Sequence, residues 1–422
     1  MAPRVKQLCF LLYWSSWRAS SIFPDPKRGK GRAVLKRPAY QKNQAWKKVA
    51  YTRDKLGKEL RADQHSWKRS LPELLAASES SLIKKLREDK LLPSWEKRLC
   101  PRCEKGTLSK LQPHPGSGAL KHRCNHYGCQ AYISPHHMHP LFVDGRGKST
   151  TPLATQCCLL LLKLNNVSHA AIHRLLKINH KAIEDLEKRL CDLRKTWVEV
   201  KEKDINFGNG KPWGDVEADE ATFDKKNLGA DAPDPATPMQ WEQWCGMVKR
   251  GCPKTLVLHR LSPSLSAARA PGPGAIRKVE WKPLADKWLR NKQVVLHTDA
   301  AKSYRMKVAG IIHDNDVHQK KKVKVKGVWK WQLPKYVRLV SHSIPGSKKK
   351  MTVKAGTQVI DRAWRFLKER IVLNQRCKVG TARLRAKVRS AQYEYWHRNE
   401  DLWLCTGELC TWQMKKFFLP TK

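Results

Sequence analysis

Acidic residues are scarce in this sequence. Of its 422 residues, 84 are Lys or Arg and only 37 are Asp or Glu, which gives a formal net charge of +47. Such a charge favours binding to polyanions and makes that binding sensitive to salt. The 17 tryptophans and nine tyrosines are interleaved with basic residues, which suits stacking on bases as well as contact with phosphates. We therefore expect a nucleic-acid partner, with an anionic membrane surface or a ribosomal setting as alternatives.

Long apolar runs are also missing. No stretch approaches the roughly 18 apolar residues that a membrane span needs, so we expect no membrane partner. The apolar run "LCFLLYW" (8–14) is short and is not followed by a small-residue cleavage site, which argues against a signal peptide. The segment "KRGKGRAVLKR" (27–37) is densely basic, so we predict a location in the nucleus if the host is eukaryotic.

Cysteines with paired spacing are few. The thirteen cysteines are an odd number and most stand singly, which argues against a disulfide framework. Only Cys100, Cys103, Cys124 and Cys129 have ligand-like spacing, C-x2-C-x20-C-x4-C. Two such pairs supply four thiolates in tetrahedral arrangement, so we predict a structural Zn²⁺ in a small β-ribbon. Replacement of one sulfur by His126, or four unrelated buried cysteines, are the alternatives.

The sequence shows no internal repeat, and shifts in composition divide it into five predicted segments. They are a basic, partly disordered or helical N-terminal arm (1–95), a zinc ribbon (96–150), a helix-turn-helix-like region (151–205), an α/β domain with inserts at 227–240 and 261–279 (206–375), and a basic aromatic helical segment (376–422). Within the arm, residues 43–92 have a weakly amphipathic pattern that predicts a solvated or DNA-contacting helical region.

Residues 159–190 predict two short helices joined by a tight turn. Apolar residues recur at helical spacing on either side of "KINH", and Ser168 and Asn179 are suitable N-caps. In a basic chain this pattern resembles a helix-turn-helix, although an ordinary helical hairpin fits nearly as well. In the helix-turn-helix interpretation, the DNA-facing residues are His180, Lys181, Lys188 and Arg189.

Two further lysine clusters are candidates for phosphate contact. One lies in "KKKVKVKGVWKWQ" and the other at 348–350. Solvated surface charge is an equally good interpretation of both. The predicted DNA-binding residues of the first cluster are Lys320, Lys321, Lys322 and Lys324.

Three acids fall on three separate predicted elements. Asp219 lies in the strand "DVEADEATF", Asp299 follows the buried strand "VVLHT", and Asp361 lies near the start of the helix at 357–371. Residues 244–250 and 254–261 predict an antiparallel strand pair, and a helix is expected after Asp299. An acid at the carboxyl end of a strand in an α/β sheet is a common place for chemistry.

Carboxylates gathered in this way are suitable ligands for Mg²⁺ or Mn²⁺. Five of the acids lie within residues 215–224, where they repel one another unless a cation compensates them. Two divalent ions can activate a nucleophile and stabilise a leaving oxygen in phosphoryl transfer. For any one acid alone, a solvated surface charge is the simpler interpretation.

The segments "VEADEATFDKK", "WCGMVKR", "VVLHTDAAKSY" and "VIDRAWRFLKERI", after a zinc ribbon and helices, resemble the Merlin-type transposases and their bacterial insertion-sequence relatives. The segment "SAQYEYWHRN" (390–399) is also similar to the end of the catalytic domain in that family. The resemblance covers roughly 96–400. It implies an RNase H-like α/β core with Asp219, Asp299 and Asp361 as metal ligands, and Tyr304 and Trp364 as supporting residues.

The resemblance implies a Mg²⁺- or Mn²⁺-dependent DNA transposase that cuts at transposon ends and joins the freed 3′-hydroxyl to target DNA. Glu217, Glu220 and His297 are candidates for positions around the metal ligands. Partners would be double-stranded DNA and further copies of the chain, since two transposon ends must be held together.

The chain departs from the family at its third acid, which is Asp361 where the family has Glu, and at 356–358, where the family has His-x-Asn. A degenerate or domesticated transposase that binds DNA without cutting it is therefore one alternative. An RNase H-like nuclease without strand transfer is another. A zinc-containing ribosomal or RNA-binding protein fits the charge but leaves the three acids without a role.

Overall fold

The computed structural model describes residues 44–53, 66–145, 151–208, 213–316, 321–325, 327–332 and 336–418. Residues 48–422 form one compact unit and residues 1–47 a second, of which only 44–47 are described. The α-helices of the described residues are α1 (Gln44–Lys48), α2 (Leu71–Ala76), α3 (Glu79–Glu88), α4 (Leu153–Leu164), α5 (His169–Leu176), α6 (His180–Lys201), α7 (Lys278–Trp288), α8 (Gln358–Arg370), α9 (Ala382–Trp396), α10 (Leu402–Gln413) and α11 (Lys415–Phe418).

The strands fall into one large sheet and three small ones. They are β1 (Leu108–Pro113), β2 (Leu120–Cys124), β3 (Tyr132–Ile133), β4 (Gly214–Asn227), β5 (Met239–Lys249), β6 (Val257–Arg260), β7 (Ser264–Ser266), β8 (Val294–Thr298), β9 (Ile311–Asn315), β10 (Lys321–Val325), β11 (Val328–Gln332), β12 (Arg338–Ser343) and β13 (Lys350–Ala355). The pairs β10–β11 and β12–β13 each form a separate hairpin, and β1–β2–β3 form a third small sheet.

The large sheet has the order β6-β5-β4-β8-β9, and β7 pairs with β5. The first three strands of this sheet, β4, β5 and β6, are antiparallel to their neighbours, whereas β8 is parallel to both β4 and β9. The carboxyl ends of β4, β8 and β9 therefore lie at the same edge of the sheet. This is the mixed α/β arrangement, with a mixed sheet flanked by helices, that the sequence predicts.

Several local predictions are confirmed and one is wrong. β5 and β6 form the expected antiparallel pair, β8 covers the predicted buried strand, and α8 covers the predicted helix at 357–371. The helix expected after Asp299 is instead a single 3₁₀ turn, Lys302–Arg305. The turn is short because Tyr304 is buried against Trp281 of α7, with ring centroids 4.6 Å apart, which draws the chain back toward the sheet.

Both faces of the large sheet are covered. On one face, α7 and the 302–305 turn pack on the even-numbered residues of β4, Val216 and Ala218. On the other face, α8 and the helices beyond it enclose Ala221 and Phe223 together with Trp244 of β5. The large sheet is therefore a central layer between two groups of helices.

The helices are linked by a buried ion pair. Arg194 of α6 donates to Glu394 of α9 over 2.5 Å, and the second oxygen of Glu394 accepts from Arg370 of α8 at 3.0 Å. Both ends of the pair are nearly inaccessible to water. Three helices that are distant in sequence thus share one carboxylate.

Two helices of the predicted N-terminal arm, α2 and α3, lie in the main core. Leu74 of α2 and Leu82, Ile83 and Leu86 of α3 are fully buried there. The prediction of a solvated or DNA-contacting helical region is wrong for these helices, because their apolar residues pack against α4 and α10. Among the described residues, no helix is both long enough and apolar enough to cross a bilayer.

The first prediction concerns the contact between α10 and the end of α3. A Cβ at Gly407 would overlap the carbonyl oxygen of Asp89. Ala is favoured over Gly in a helix by up to about 1 kcal/mol, but overpacking against fixed backbone costs about 1–3 kcal/mol. We expect Gly407→Ala to lower the free energy of unfolding, measured by urea denaturation. The control is Gly272→Ala, where a Cβ meets open space, and equal stability of the two variants would contradict the close contact.

Candidate active site and metal centres

The four cysteines predicted to hold zinc come together. Their Sγ atoms all lie within 4.8 Å of one another, with Cys100 to Cys129 at 3.9 Å and Cys103 to Cys124 at 3.6 Å. A tetrahedral zinc with Zn–S bonds of about 2.3 Å separates its sulfurs by about 3.8 Å. The cluster therefore has the size and the chemistry that Zn²⁺ requires, and it is made of sulfurs without His126.

The backbone around the cluster is shaped to hold thiolates. A Cβ at Gly106 would come within 2.6 Å of the Cys124 sulfur, so only glycine lets this turn wrap the cluster. Hydrogen bonds from the Gly106 and Lys105 backbone N–H groups lower the pKa of Cys103 to about 6. Burial raises the pKa of Cys124 to about 12, and a bound cation would offset this cost of ionising a buried thiol.

The cysteine cluster packs on the segment that follows α10. Trp95 is buried beside the cluster, and its ring lies 4.7 Å from that of Phe417 in α11. Arg98 donates to the backbone carbonyl of Lys416. The predicted C-terminal segment is thus part of the same packed body as the cysteine cluster.

Three carboxylates meet beside the carboxyl end of β8 in the large sheet, a place we call the acidic edge. Glu217 of β4 is paired with His297 of β8 in parallel register, so Asp219 and Asp299 follow at equivalent positions. Oxygens of Asp219, Glu220 and Asp299 lie within 4.8 Å of one another. Two of these acids were predicted as ligands, and Glu220 was predicted only as a neighbour of the ligands.

The electrostatics of this cluster are those of uncompensated acids. Burial, followed by the nearby charges of Glu220 and Asp361, raises the pKa of Asp219 well above its usual value. Burial, together with the charge of Asp299, raises the pKa of Glu220 to about 7. A divalent cation would relieve both effects by supplying the missing positive charge, and carboxylate oxygens are the ligands that Mg²⁺ prefers.

Asp361 lies in the first turn of α8, where its charge reaches Asp219. Its side chain is exposed and accepts a long hydrogen bond from the Thr357 hydroxyl at 3.5 Å. It is outside the group of three carboxylates described above. The assignment of Asp219, Asp299 and Asp361 as a ligand set stays a prediction.

Trp364 fixes the side chain of Asp219. Its indole N–H donates to Asp219 Oδ2 at 3.1 Å. The indole lies over Gly246, the residue paired with Asp219 in β5, where a Cβ would come within 2.7 Å of the ring. Because Gly246 has no side chain, α8 approaches the sheet closely enough for Trp364 to hold the Asp219 carboxylate in place.

Glu217 anchors α8 to the sheet. Its side chain is completely buried, and one oxygen accepts the backbone N–H groups of Val359 and Ile360 at 2.7 and 3.0 Å. The other oxygen accepts from Arg250 at 2.6 Å and from the Tyr51 hydroxyl at 2.7 Å. Both carboxylate oxygens of Glu217 thus accept hydrogen bonds from the protein itself. Glu217 therefore acts as a buried cap on the N-terminus of α8.

His297 belongs to a neighbouring polar network. Its Nε2 lies 3.0 Å from Asp215, which also accepts from Arg53 at 2.7 Å. Burial by itself raises the pKa of Asp215, but the hydrogen bonds with His297 and Arg53 outweigh it and hold that pKa below its usual value. Asp314 of β9 lies on the other side of His297. His297 thus joins two strands rather than facing the carboxylate cluster.

Sequence reasoning missed Tyr51, Arg53 and Arg250. Tyr51 and Arg53 fall in the predicted arm, with no local pattern that points to the sheet 160 residues later. Arg250 fills its donor capacity with Glu217 and with the carbonyls of Lys354 and Gly356. The sequence did contain one indication for Glu220, because it directly follows Asp219 in "ADEA". Its proximity to Asp299 could not be predicted, because it depends on the pairing of β4 with β8.

The predicted helix pair is present, and its caps are confirmed. Ser168 accepts from Ala171 at the start of α5, and Asn179 accepts from Lys181 at the start of α6. The predicted DNA-facing residues of α6 differ in exposure: His180, Lys181 and Lys188 are exposed, whereas Arg189 is half-buried and donates to the Leu141 carbonyl. Their contact with DNA stays a prediction.

Of the lysine-rich stretch, Lys320 lies outside the described residues. Lys321, Lys322 and Lys324 belong to β10, and the side chains of Lys322 and Lys324 are exposed. The lysines at 348–350 are exposed at the turn between β12 and β13. Their role as phosphate contacts stays a prediction.

A further described group, His397, Glu400 and Cys405, also lies within 4.8 Å. Its carboxylate is already compensated, because Glu400 is 2.7 Å from the Lys254 ammonium and 2.8 Å from His397. This group connects the end of α9 to α10 through hydrogen bonds.

Comparison with known proteins identifies no family. No protein-family model matches the chain, and no curated protein sequence matches it. One solved structure, the crystal structure of a pre-cleavage Mos1 transpososome, is weakly similar over 41% of this chain and 60% of that chain, with 12% identity and a TM-score of 0.11. The match spans less than two thirds of that chain, and a TM-score this low supports no conclusion about fold or function.

The second prediction concerns the cysteine cluster. We expect Cys103→Ser to lower the zinc content of the purified protein, measured by elemental analysis, because three sulfurs bind Zn²⁺ less tightly than four. The melting temperature should fall with it, because metal binding stabilises the folded ribbon. The control is Cys252→Ser, which removes a half-buried thiol outside the cluster. Wild-type protein without zinc would contradict the assignment.

The third prediction concerns the anchor of α8. Glu217→Gln leaves the buried Arg250 guanidinium without a counter-charge, which typically costs about 3–5 kcal/mol. We expect the free energy of unfolding in urea to fall by an amount of this order. Glu199→Gln, at an exposed helix position, should change it by less than about 0.5 kcal/mol. A Glu217→Gln variant as stable as this control would show that the pair does not hold α8.

Proposed function

We propose that this protein is a metal-dependent DNA transposase of the Merlin type. The observation that carries the proposal is the convergence of Asp219, Glu220 and Asp299 at one sheet edge of a strongly basic chain. Surface charge alone gives no reason to gather three half-buried acids against one another, whereas divalent-metal chemistry on a polyanion requires such a cluster.

The architecture supports an RNase H-like assignment for the catalytic domain. Three antiparallel strands followed by two strands parallel to the first, with β4 at the centre, are the arrangement that this resemblance implies. A helix then returns across β4 and brings Asp361 toward Asp219. Fold alone does not determine function, so the proposal depends on the acids rather than on the strand order.

Two of the proposed metal ligands are held in place by hydrogen bonds. Asp219 is held by Trp364, and Asp299 is held by the Ala301 backbone N–H, which donates to its carboxylate at 2.9 Å. Asp361 or Glu220 completes the set of oxygens. Bound Mg²⁺ or Mn²⁺ would supply charge compensation for the DNA phosphate and activation of the attacking hydroxyl. The protein residues position these groups and form no covalent bond to DNA.

The proposal also assigns roles to the predicted domains. The zinc ribbon at 96–150 and the helices at 151–205 would bind double-stranded DNA, and the α/β domain at 206–375 would cut it. Synapsis of two transposon ends requires a homo-oligomer, and a eukaryotic host would place the protein in the nucleus.

A transposase remnant that binds DNA without cutting it is the second candidate. Two observations favour it: Asp361 is exposed and shorter than the glutamate of the family, and Glu220 is already engaged by the Ile276 backbone N–H at 3.0 Å. In this case the acids would no longer hold metal, although DNA affinity would remain.

The fourth prediction tests catalysis directly. The protein is incubated with Mg²⁺ or Mn²⁺ and DNA that carries the terminal sequences flanking its own gene. We expect 3′-hydroxyl ends and joined products. Asp219→Asn and Asp299→Asn should each lower the rate at least about 100-fold, because metal-ion catalysis contributes several kcal/mol. Asp231→Asn, at an exposed loop position, should leave the rate unchanged.

The same assay separates the candidates and identifies the third ligand. A larger loss in Asp361→Asn than in Glu220→Gln would support the family-like ligand set, and the reverse would assign Glu220. Cleaved but unjoined DNA would indicate a nuclease. Intact DNA that is nonetheless tightly bound would indicate a remnant, and products that persist in Asp219→Asn would refute the proposed site.

A further inference from the structure

The hairpin of β10 and β11 carries aromatic rings that the proposed catalytic site does not use. In its register, Lys322 is paired with Trp331, and Lys324 with Trp329. Paired residues of an antiparallel ribbon project from the same face, so one face carries two lysines and two tryptophans. We call these four side chains the Trp/Lys face. Its indoles are 65% (Trp329) and 61% (Trp331) exposed.

Such exposure is unusual for tryptophan. Trp is on average among the well-buried residues, and burying a large apolar side chain is favourable by a few kcal/mol. Two neighbouring indoles in water therefore indicate a surface that is covered by a partner. The Lys322 ammonium lies 5.2 Å from the Trp331 ring centroid, so a cation and a ring are presented together.

We propose that the Trp/Lys face binds unpaired DNA, with bases stacked on the indoles and phosphates in contact with the lysines. The net charge of +47 makes a polyanion the complementary partner. In a duplex, each base face is covered by its neighbours, so lysines would find phosphates but the indoles would find no ring to stack on. An unpaired strand offers both, and this combination of groups is how single strands are bound.

The spacing of the rings fits one base. Trp329 and Trp331 are two residues apart on one strand, which separates their Cα atoms by about 6.6 Å. Stacked bases are about 3.4 Å apart. The Cα separation is about twice this stacking distance, which is the spacing needed to hold one base between two rings.

The hairpin is inserted in the chain beside the acidic edge. Thr298, which precedes Asp299, is paired with Asn315 at the end of β9. The chain continues from this edge into β10 and β11 and returns through β12 and β13 to α8. The inference rests on the proposed function for the origin of the unpaired strand: cuts at different positions on the two DNA strands would leave a single-stranded end for the hairpin to bind.

The fifth prediction is tested by binding with the full-length protein. Fluorescence anisotropy is measured in buffer free of divalent cations, with a blunt duplex and with the same duplex bearing a single-stranded overhang. We expect the overhang to increase affinity. Trp329→Ala and Trp331→Ala should each lower affinity for the overhang DNA about tenfold or more, because base stacking contributes that much. Affinity for the blunt duplex should change less than about twofold.

Two variants control for the chemistry of the face. Trp331→Phe keeps a ring and should retain most of the affinity for the overhang. Leu75→Ala removes an apolar side chain that is 58% exposed on α2, outside the segments proposed to bind or cut DNA, and should have no effect. Replacing Lys322 and Lys324 together by Ala should reduce the salt dependence of overhang binding by about 1.4 in the slope of log affinity against log salt.

The outcomes distinguish this inference from the proposed function. Equal losses on blunt and overhang DNA in the Trp variants would overturn it, as would unchanged binding or a preference for an RNA overhang. Selective loss for the overhang would support it even where no cleavage is detected with Mg²⁺. Cleavage that requires Asp219, with overhang binding unaffected by the Trp variants, would refute the Trp/Lys face alone.

Discussion

The buried Glu217 carboxylate is the contact on which the geometry of the acidic edge depends. It lies in the central strand, it caps the first turn of α8, and it is neutralised by Arg250, which also holds the chain before α8 through two carbonyls. Because this charge has no access to water, its partners can hardly move without leaving it unsatisfied. The position of α8, and hence of Trp364 and Asp361 above Asp219, follows from one carboxylate that performs no chemistry.

This arrangement gives the acids in β4 different tasks although they share a short stretch of sequence. Asp215 and Glu217 are paired with the guanidinium groups of Arg53 and Arg250, whereas the charges that raise the pKa of Asp219 and Glu220 are those of other acids. These acids lie within six residues of one another, and they differ because the fold gives them different partners. Positive charge is abundant in the chain, but within the described ranges no basic side chain forms an ion pair with Asp219 or Glu220, which leaves room for a cation from solution.

The sequence was informative where the signal is local. The strand pairs around residues 244–261, the N-caps Ser168 and Asn179, the helix α8 and the cysteine spacing all depend on residues close together in the chain, and these predictions agree with the structure. The role of Glu217, the convergence of Glu220 with Asp299, and the burial of α2 and α3 depend on contacts between distant segments. No periodicity reports that Tyr51 will meet Glu217, because their proximity is a product of the complete fold.

One such distant contact bears on how the chain folds during synthesis. Asp89, at the end of α3, accepts from Arg69 nearby and from the indole of Trp403, and Asp401 accepts from the backbone of Lys68. The early helices thus pack on α4, but part of their contacts form only with the start of α10, more than 300 residues later. The N-terminal part of the core leaves the ribosome long before α10 can complete it, so its apolar surface must stay protected until α10 has been translated. We therefore expect the core to be completed only after α10 has left the ribosome, and a truncation before α10 to expose the same surface permanently.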